Sequence, residues 1–149
     1  MVENCQIRRM MTVITKTIEI KSKGENDMVD ITDQTLKAIL ESKLENGIVT
    51  IFVSGSTAAV TTIEYEQGLR TDFPMMLNRL IPKDIEYKHD ETWHDGNGHS
   101  HVRASLIGPS LTVPFKDGNL ILGTWQQIVF CELDTRSRER RITLQIIGE

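Results

Sequence analysis

All four histidines of the chain, His89, His94, His99 and His101, fall within thirteen consecutive positions. Asp90, Glu91, Asp95, Gly96, Asn97 and Gly98 lie between them. Imidazoles and carboxylates together form the ligand set of zinc and similar divalent ions, and imidazole is also the side chain best suited to proton transfer near neutrality. The glycines let the backbone fold back, so that ligands close in sequence can converge. In an extended segment His99 and His101 point the same way; in a helix they diverge by about 160°. The spacing is not the HExxH of a helical zinc site. A histidine-rich polar surface loop is the competing reading.

Other groups carry chemistry at lower density. Ser54-Gly55-Ser56-Thr57 follows an apolar run, and its hydroxyls and backbone N–H groups suit a phosphate or carboxylate. No lysine follows in the P-loop position. The same residues also read as a plain strand-ending turn. Thr124-Trp125-Gln126 offers an indole and an amide to a flat heterocycle, although packing is the commoner use of tryptophan. Gln126 is its polar contributor. Arg136, Arg138 and Arg140 share one face of an extended segment, either to bind phosphate or, the preferred reading, as a solvated edge. Glu64 and Glu66 are acids near these groups or exposed strand charges. Cys131 lies in an apolar strand and is expected to be buried and inert.

The elements that must position these residues follow from periodicity. Thr12 to Ile20 is rich in β-branched residues and predicts a strand, and Gly24, Asn26 and Asp27 predict a turn. Leu36, Ile39, Leu40 and Leu44 mark one face of a helix from about Thr32 to Glu45. Ile48 to Val53 predicts a buried strand and Ala58 to Tyr65 another. A second helix is predicted from Thr71 to Leu80, with Pro74 in its first turn. Lys83 to Asn97 reads as irregular, and His99 to Ile107 as a short helix or a strand. Ser110 to Leu122 predicts a hairpin around Asp117-Gly118. Thr124 to Leu133 and Ile142 to Ile147 predict the last strands. Strands mixed with two main helices argue for an α+β fold with largely antiparallel sheets.

The chain has 149 residues, 39% hydrophobic and 26% charged, with a formal charge of −4. That size suits one domain over residues 1–149 with a substantial core. The acidic balance argues against a general nucleic-acid partner. No apolar run reaches the roughly 20 residues of a membrane helix, and Met1 to Met11 lacks the apolar centre of a signal peptide. Cys5 and Cys131 form no CxxC pair. A cytoplasmic location with reduced thiols is the expectation.

The stretch Gly98-His99-Ser100-His101-Val102-Arg103-Ala104-Ser105-Leu106-Ile107-Gly108, then Ser110-Leu111-Thr112-Val113-Pro114, then Gly118-Asn119-Leu120-Ile121-Leu122-Gly123-Thr124-Trp125-Gln126-Gln127-Ile128, closely resembles the signature of the YjbQ-like family. That group is also called the secondary thiamine-phosphate synthases. The likeness runs from the first strand to Thr143-Leu144-Gln145. It implies a compact α+β protein with β-sandwich character, assembled as a homotrimer. By position, His89 and His101 match family histidines and Asp95 falls in an acidic stretch. Ser56 and Thr57 match a hydroxyl-rich segment, and Glu132 matches an acidic position. Many members carry a histidine where this chain has Gly55. His94 or His99 is the candidate to fill that vacancy.

The resemblance implies an enzyme that joins hydroxymethylpyrimidine diphosphate to a thiazole phosphate and releases pyrophosphate. His101, Asp95 and Glu132 are the expected catalytic groups. His89, His99 and His101 are the expected ligands of a divalent metal ion. Ser56, Thr57 and Gln126 are expected to hold a small phosphorylated metabolite. Imidazoles favour zinc, whereas diphosphate transfer is usually served by oxygen-bound magnesium. Two other readings stand beside this one: a metal-dependent hydrolase, and a non-catalytic trimeric protein that binds a metal or metabolite.

Overall fold

The computed structural model describes residues 10–149. Cys5, and all but the last two residues of the Met1–Met11 stretch, lie outside them. Among the described residues eight strands and four helices follow in the order β1 (Thr12–Lys21), β2 (Asp27–Asp30), α1 (Thr32–Ser42), β3 (Gly47–Val53), β4 (Ala58–Ile63), α2 (Gln67–Leu80), α3 (Lys88–Trp93), α4 (Gly98–Ile107), β5 (Ser110–Lys116), β6 (Asn119–Leu120), β7 (Gln127–Glu132) and β8 (Glu139–Gly148). One sheet has the order β1-β8-β3-β5-β6 and the other β2-β7-β4. Every pairing is antiparallel.

Alternation sets the faces of the larger sheet. Val49, Ile51 and Val53 of β3 are buried, while Ile48 and Phe52 look outward. Ile142, Leu144 and Ile146 of β8 pack beside them and meet Ile128 and Phe130 of β7 in the smaller sheet. Ile31, Ala38 and Ile39 bring α1 into the same core. Each such fully buried aliphatic side chain contributes about 1.5–3 kcal/mol. The other face of β7, with Val129 and Cys131, packs against Leu77 of α2 and Ala104 of α4. The smaller sheet is therefore covered on both faces, which is why β7 reads as an unbroken apolar run rather than an alternating one. Burial pushes the Cys131 thiol up to about 12.

Several boundaries depart from the sequence expectations. The short strand β2 begins at Asp27, the last residue of the expected turn, because Asp27–Asp30 pairs with Val129–Glu132. Helix α1 stops at Ser42, where Lys43 adopts φ 60°. Helix α2 begins at Gln67, four residues early, because the Glu66 carboxylate accepts the N–H groups of Gly68 and Leu69. Pro74 consequently lies inside that helix and not in its first turn. Strand β7 starts at Gln127 rather than Thr124. Asp117 (φ 51°) and Gly118 (φ 72°) form the expected hairpin turn, with both central residues at positive φ. Among the described residues, no helix is long and apolar enough to cross a membrane.

Candidate functional site

The polar stretch around the histidines folds into two short helices joined by a tight reversal. His94 closes α3 at φ 52°. The Asp90 carboxylate accepts the Gly98 N–H at 2.9 Å and ties α3 to the start of α4. This reversal lays α3 against α4 and brings two of the four histidines together. The rings of His89 and His101 lie 4.2 Å apart between centroids, tilted by 43°. Asp95 Oδ1 stands 3.8 Å from His89 Nε2, and both side chains are about one-third exposed, at 35% and 30%. Burial, then the neighbouring His89 charge, holds His101 below the usual imidazole range against the opposing pull of Asp95, Asp134 and Asp90.

The helical form of α4 decides the fate of His99. Two residues along a helix turn the side chain to nearly the opposite face, so His99 leaves the His89–His101 pair. It is buried, and its Nε2 lies 3.2 Å from Glu25 Oε1. Glu25 also accepts from Arg103 Nη1 at 2.9 Å and pairs with Lys83 at 3.2 Å. Arg103 is fully buried. Its Nη2 donates to Asn78 at 2.7 Å and to the Ile81 carbonyl at 2.8 Å, which its Nε also reaches at 3.1 Å. Burial holds His99 below its usual value despite Glu25, and the cations around Glu25 hold that carboxyl low despite its own burial. This second cluster ties the β1–β2 loop to α2 and α4. The trio His89, His99 and His101 is thus not brought together. Nor does any group of three or more His, Cys, Asp or Glu side chains among the described residues form a set able to hold a metal ion.

A third network backs the histidine pair. Asn97, at the start of α4, reaches Asp134 Oδ2 at 3.4 Å. Asp134 also accepts from Thr57 Oγ1 at 2.9 Å and from Arg138 Nε at 3.0 Å. Burial pushes the Asp134 carboxyl up, but donors from Arg136, Arg138 and Thr57 outweigh it and hold the group low. Arg140 Nη2 donates to Thr57 Oγ1 at 2.8 Å. Its Nε and Nη2 grip the two oxygens of Glu132 at 2.8 and 2.6 Å. Ser22 Oγ and the Asp134 N–H complete the Glu132 shell at 2.9 and 3.0 Å.

The expected site residues therefore divide. His89, His101 and Asp95 come together. Glu132, expected to be catalytic, is fully buried with both oxygens bonded to protein donors, so it anchors Arg140 rather than facing a ligand. Thr57 is buried between Asp134 and Arg140, whereas Ser56 is exposed on the turn. Gln126 folds onto its own turn, accepting from the Gly123 N–H at 2.8 Å and reaching Thr62 Oγ1 at 3.5 Å. Trp125, expected to pack, is 68% exposed in this chain. Of the arginines read as a solvated edge, Arg138 and Arg140 instead pair with buried carboxylates. Neither His94 nor His99 stands at Gly55. The group there is the Arg140 guanidinium, whose Nη1 would lie 2.6 Å from a Cβ at that position.

Asp134 and Asn97 were missed from sequence, as were Glu25 and Arg103. The alternation Glu132, Asp134, Arg136, Arg138, Arg140 was the available signal for the first of these. Comparison with known proteins agrees with the architecture. The family model for UPF0047 protein YjbQ-like matches residues 16–149. A UPF0047 protein of Methanothermobacter thermautotrophicus is 37% identical over 139 residues, covering 93% of this chain and 95% of the relative. One from Methanocaldococcus jannaschii is 39% identical over 132 residues, covering 88% and 92%. The crystal structure of a YbjQ-like protein of unknown function from Sulfolobus solfataricus superposes with a TM-score of 0.86 at 38% identity, covering 94% of this chain and all of that one. With a matching family model over most of its length and relatives above 30% identity, the chain belongs to the YjbQ-like UPF0047 family.

Proposed function

We propose that the chain is an enzyme performing acid–base hydrolysis on a small phosphorylated metabolite, with His101 as the proton acceptor. The observation behind this reading is the His89–His101 pair, with ring centroids 4.2 Å apart and Asp95 beside His89. An imidazole held below its ordinary pKa is unprotonated at neutral pH, the state a general base requires. His101 takes the proton of an attacking water and, as imidazolium, returns it to the departing oxygen, with His89 and Asp95 beside it to orient the ring. The Asn97–Asp134–Thr57 network fixes the start of α4 and hence the position of His101.

A divalent ion is the cofactor implied by the family resemblance. Of the expected ligands only His89 and His101 meet, and no group of three or more His, Cys, Asp or Glu side chains among the described residues could hold an ion, so the proposed proton transfers rest on the side chains alone. The thiamine-phosphate-forming transfer implied by the resemblance would draw on the same face. The test is a panel of phosphate monoesters, together with the pyrimidine diphosphate and thiazole phosphate pair, offered to wild type and to His101→Gln. Hydrolysis should fall by about 10²–10⁴-fold in the variant. Equal rates in the two proteins exclude the role of His101. Product from the paired substrates without hydrolysis of the monoesters would establish transfer instead.

A further inference from the structure

Helix α2 carries Gln67, Arg70 and Thr71 on one face, because residues three and four apart are neighbours on a helix surface. That face looks across at the start of β2. Between the two elements lies a cavity of about 360 Å³ lined by Asn26, Asp27, Met28, Gln67, Arg70 and Thr71. Neither histidine of the His89–His101 pair lines it.

Arg70 is the cation of this space. Among the described residues its guanidinium meets the Tyr65 ring, 4.6 Å from the centroid, and no carboxylate. The ring is a fixed platform: Tyr65 Oη donates to the Met28 carbonyl at 2.7 Å, and the Tyr65 N–H donates to Gln127 Oε1 at 2.8 Å. The nearby acids are turned away. Met28 packs with Leu77 of α2, so alternation puts Asp27 on the opposite face of β2, where its carboxylate accepts the Lys23 N–H at 2.8 Å. Glu66 uses both oxygens on the N–H groups of Gly68 and Leu69. Asp72, two residues beyond Arg70, points to nearly the opposite side of the helix. The charge that faces the cavity is therefore the single positive one of Arg70. Asn26 supplies a second feature. It stands at φ 67° with its N–H on the Glu132 carbonyl at 2.9 Å. Its Oδ1 is buried and has no hydrogen-bond partner among the described residues. A buried acceptor without a donor is a standing cost that a ligand N–H would remove.

We propose that this cavity binds a small carboxylate that also carries an N–H group, of the N-acyl amino acid class. Arg70 takes the carboxylate and Asn26 Oδ1 accepts the N–H. The planar fork of a guanidinium matches the two oxygens of a carboxylate, and one cation balances a monoanion. Stacking on Tyr65 holds the fork in place beforehand, so little side-chain freedom is lost on binding. Turning the Asn26 amide toward the ligand gives up no hydrogen bond at Oδ1. The site stands apart from the acid–base reading of His101 and does not depend on it.

The test titrates the full chain with N-acetylglycine, acetate and inorganic phosphate, following the backbone amide resonances of Asn26, Gln67 and Thr71 by NMR. It uses wild type, Arg70→Gln, Asn26→Gly and His101→Gln. Arg70 is exposed and glycine accepts the positive φ at position 26, so the first two variants should melt as wild type does. N-acetylglycine should shift these resonances saturably and bind more tightly than acetate. Arg70→Gln should weaken it at least about tenfold, a loss of roughly 1.4 kcal/mol. Asn26→Gly should bring N-acetylglycine to the affinity of acetate and leave acetate unchanged. His101→Gln should bind as wild type does. Absence of saturable shifts in wild type overturns the proposal, and so does undiminished binding in Arg70→Gln. Tighter binding of phosphate than of either carboxylate overturns the ligand class. Loss of binding in His101→Gln would put the carboxylate at the histidine pair instead.

Discussion

Replacing Arg103 with Met offers the sharpest test of the buried charge cluster. The side chain is fully buried and makes four hydrogen bonds, to Glu25, to Asn78 and twice to the Ile81 carbonyl. Methionine fills much of the volume but removes every donor. The Ile81 carbonyl and the Asn78 amide oxygen lose their partners, and Glu25, only 16% exposed, loses the nearer of its two fixed cations. Removing one member of a buried ion pair costs about 3–5 kcal/mol. In a chain of this length each kcal/mol moves the melting point by about 2–4 °C. The expected fall is therefore on the order of 10 °C, read by calorimetry or by circular dichroism on heating. The double variant Arg103→Met/Glu25→Gln, which removes the stranded charge, should recover part of the loss. A fall of less than about 3 °C in the single variant would refute the claim, because it would place the group in the surface-pair range. No recovery in the double variant would locate the cost in the carbonyl and not in Glu25.

Acid should weaken the fold in a defined order. His99 and His101 are both held below the usual imidazole value, so below about pH 6.5 the unfolded chain takes up protons first and stability falls until the folded-state values are passed. Glu25 and Asp134 are held low, so their contribution is present above the ordinary carboxyl range and is lost at still lower pH, as their folded-state values are crossed. Urea midpoints at about pH 7.5 and 5.5 should differ, with a smaller difference in His101→Gln; identical midpoints in wild type contradict this reading. The Cys131 thiol, 1% exposed and raised to about 12, should resist a thiol reagent in the native state and react fully in denaturant. Rapid native labelling at Cys131 would show that the sheet opens there.

The larger sheet was legible because its strands alternate or carry β-branched runs, and the Asp117-Gly118 turn because it needs two positive φ values. The helices around the histidines were not. Helix α3 has no buried residue, so nothing in Lys88–Trp93 carries an apolar period. Helix α4 buries Gly98, His99, Ser100, Arg103 and Ala104, a face that is polar in sequence because its partners are Glu25 and backbone carbonyls. A hydrophobic pattern cannot report a face whose burial rests on hydrogen bonds. The pairing of His89 with His101 followed from the family resemblance, while the loss of His99 required the helix. Glu132 shows the opposite limit. An acid in a strand reads the same in sequence whether it faces a ligand or an arginine.

Gly55 and Arg140 form a pair that one cannot inherit without the other. Arg140 reaches the turn after β3 only because position 55 has no side chain. A histidine at 55, the residue that the family resemblance implies there, would need the volume that the guanidinium fills here. The two arrangements are alternative tenants of one space, and each places a nitrogen base at the same turn. One base titrates near neutral pH; the other keeps its charge throughout the physiological range. A change at position 55 alone would leave two groups competing for one seat, and a change at position 140 alone would leave Glu132 buried without its partner. A side chain at 55 and the guanidinium of Arg140 are therefore coupled through one small volume, and a substitution at either position is felt at the other.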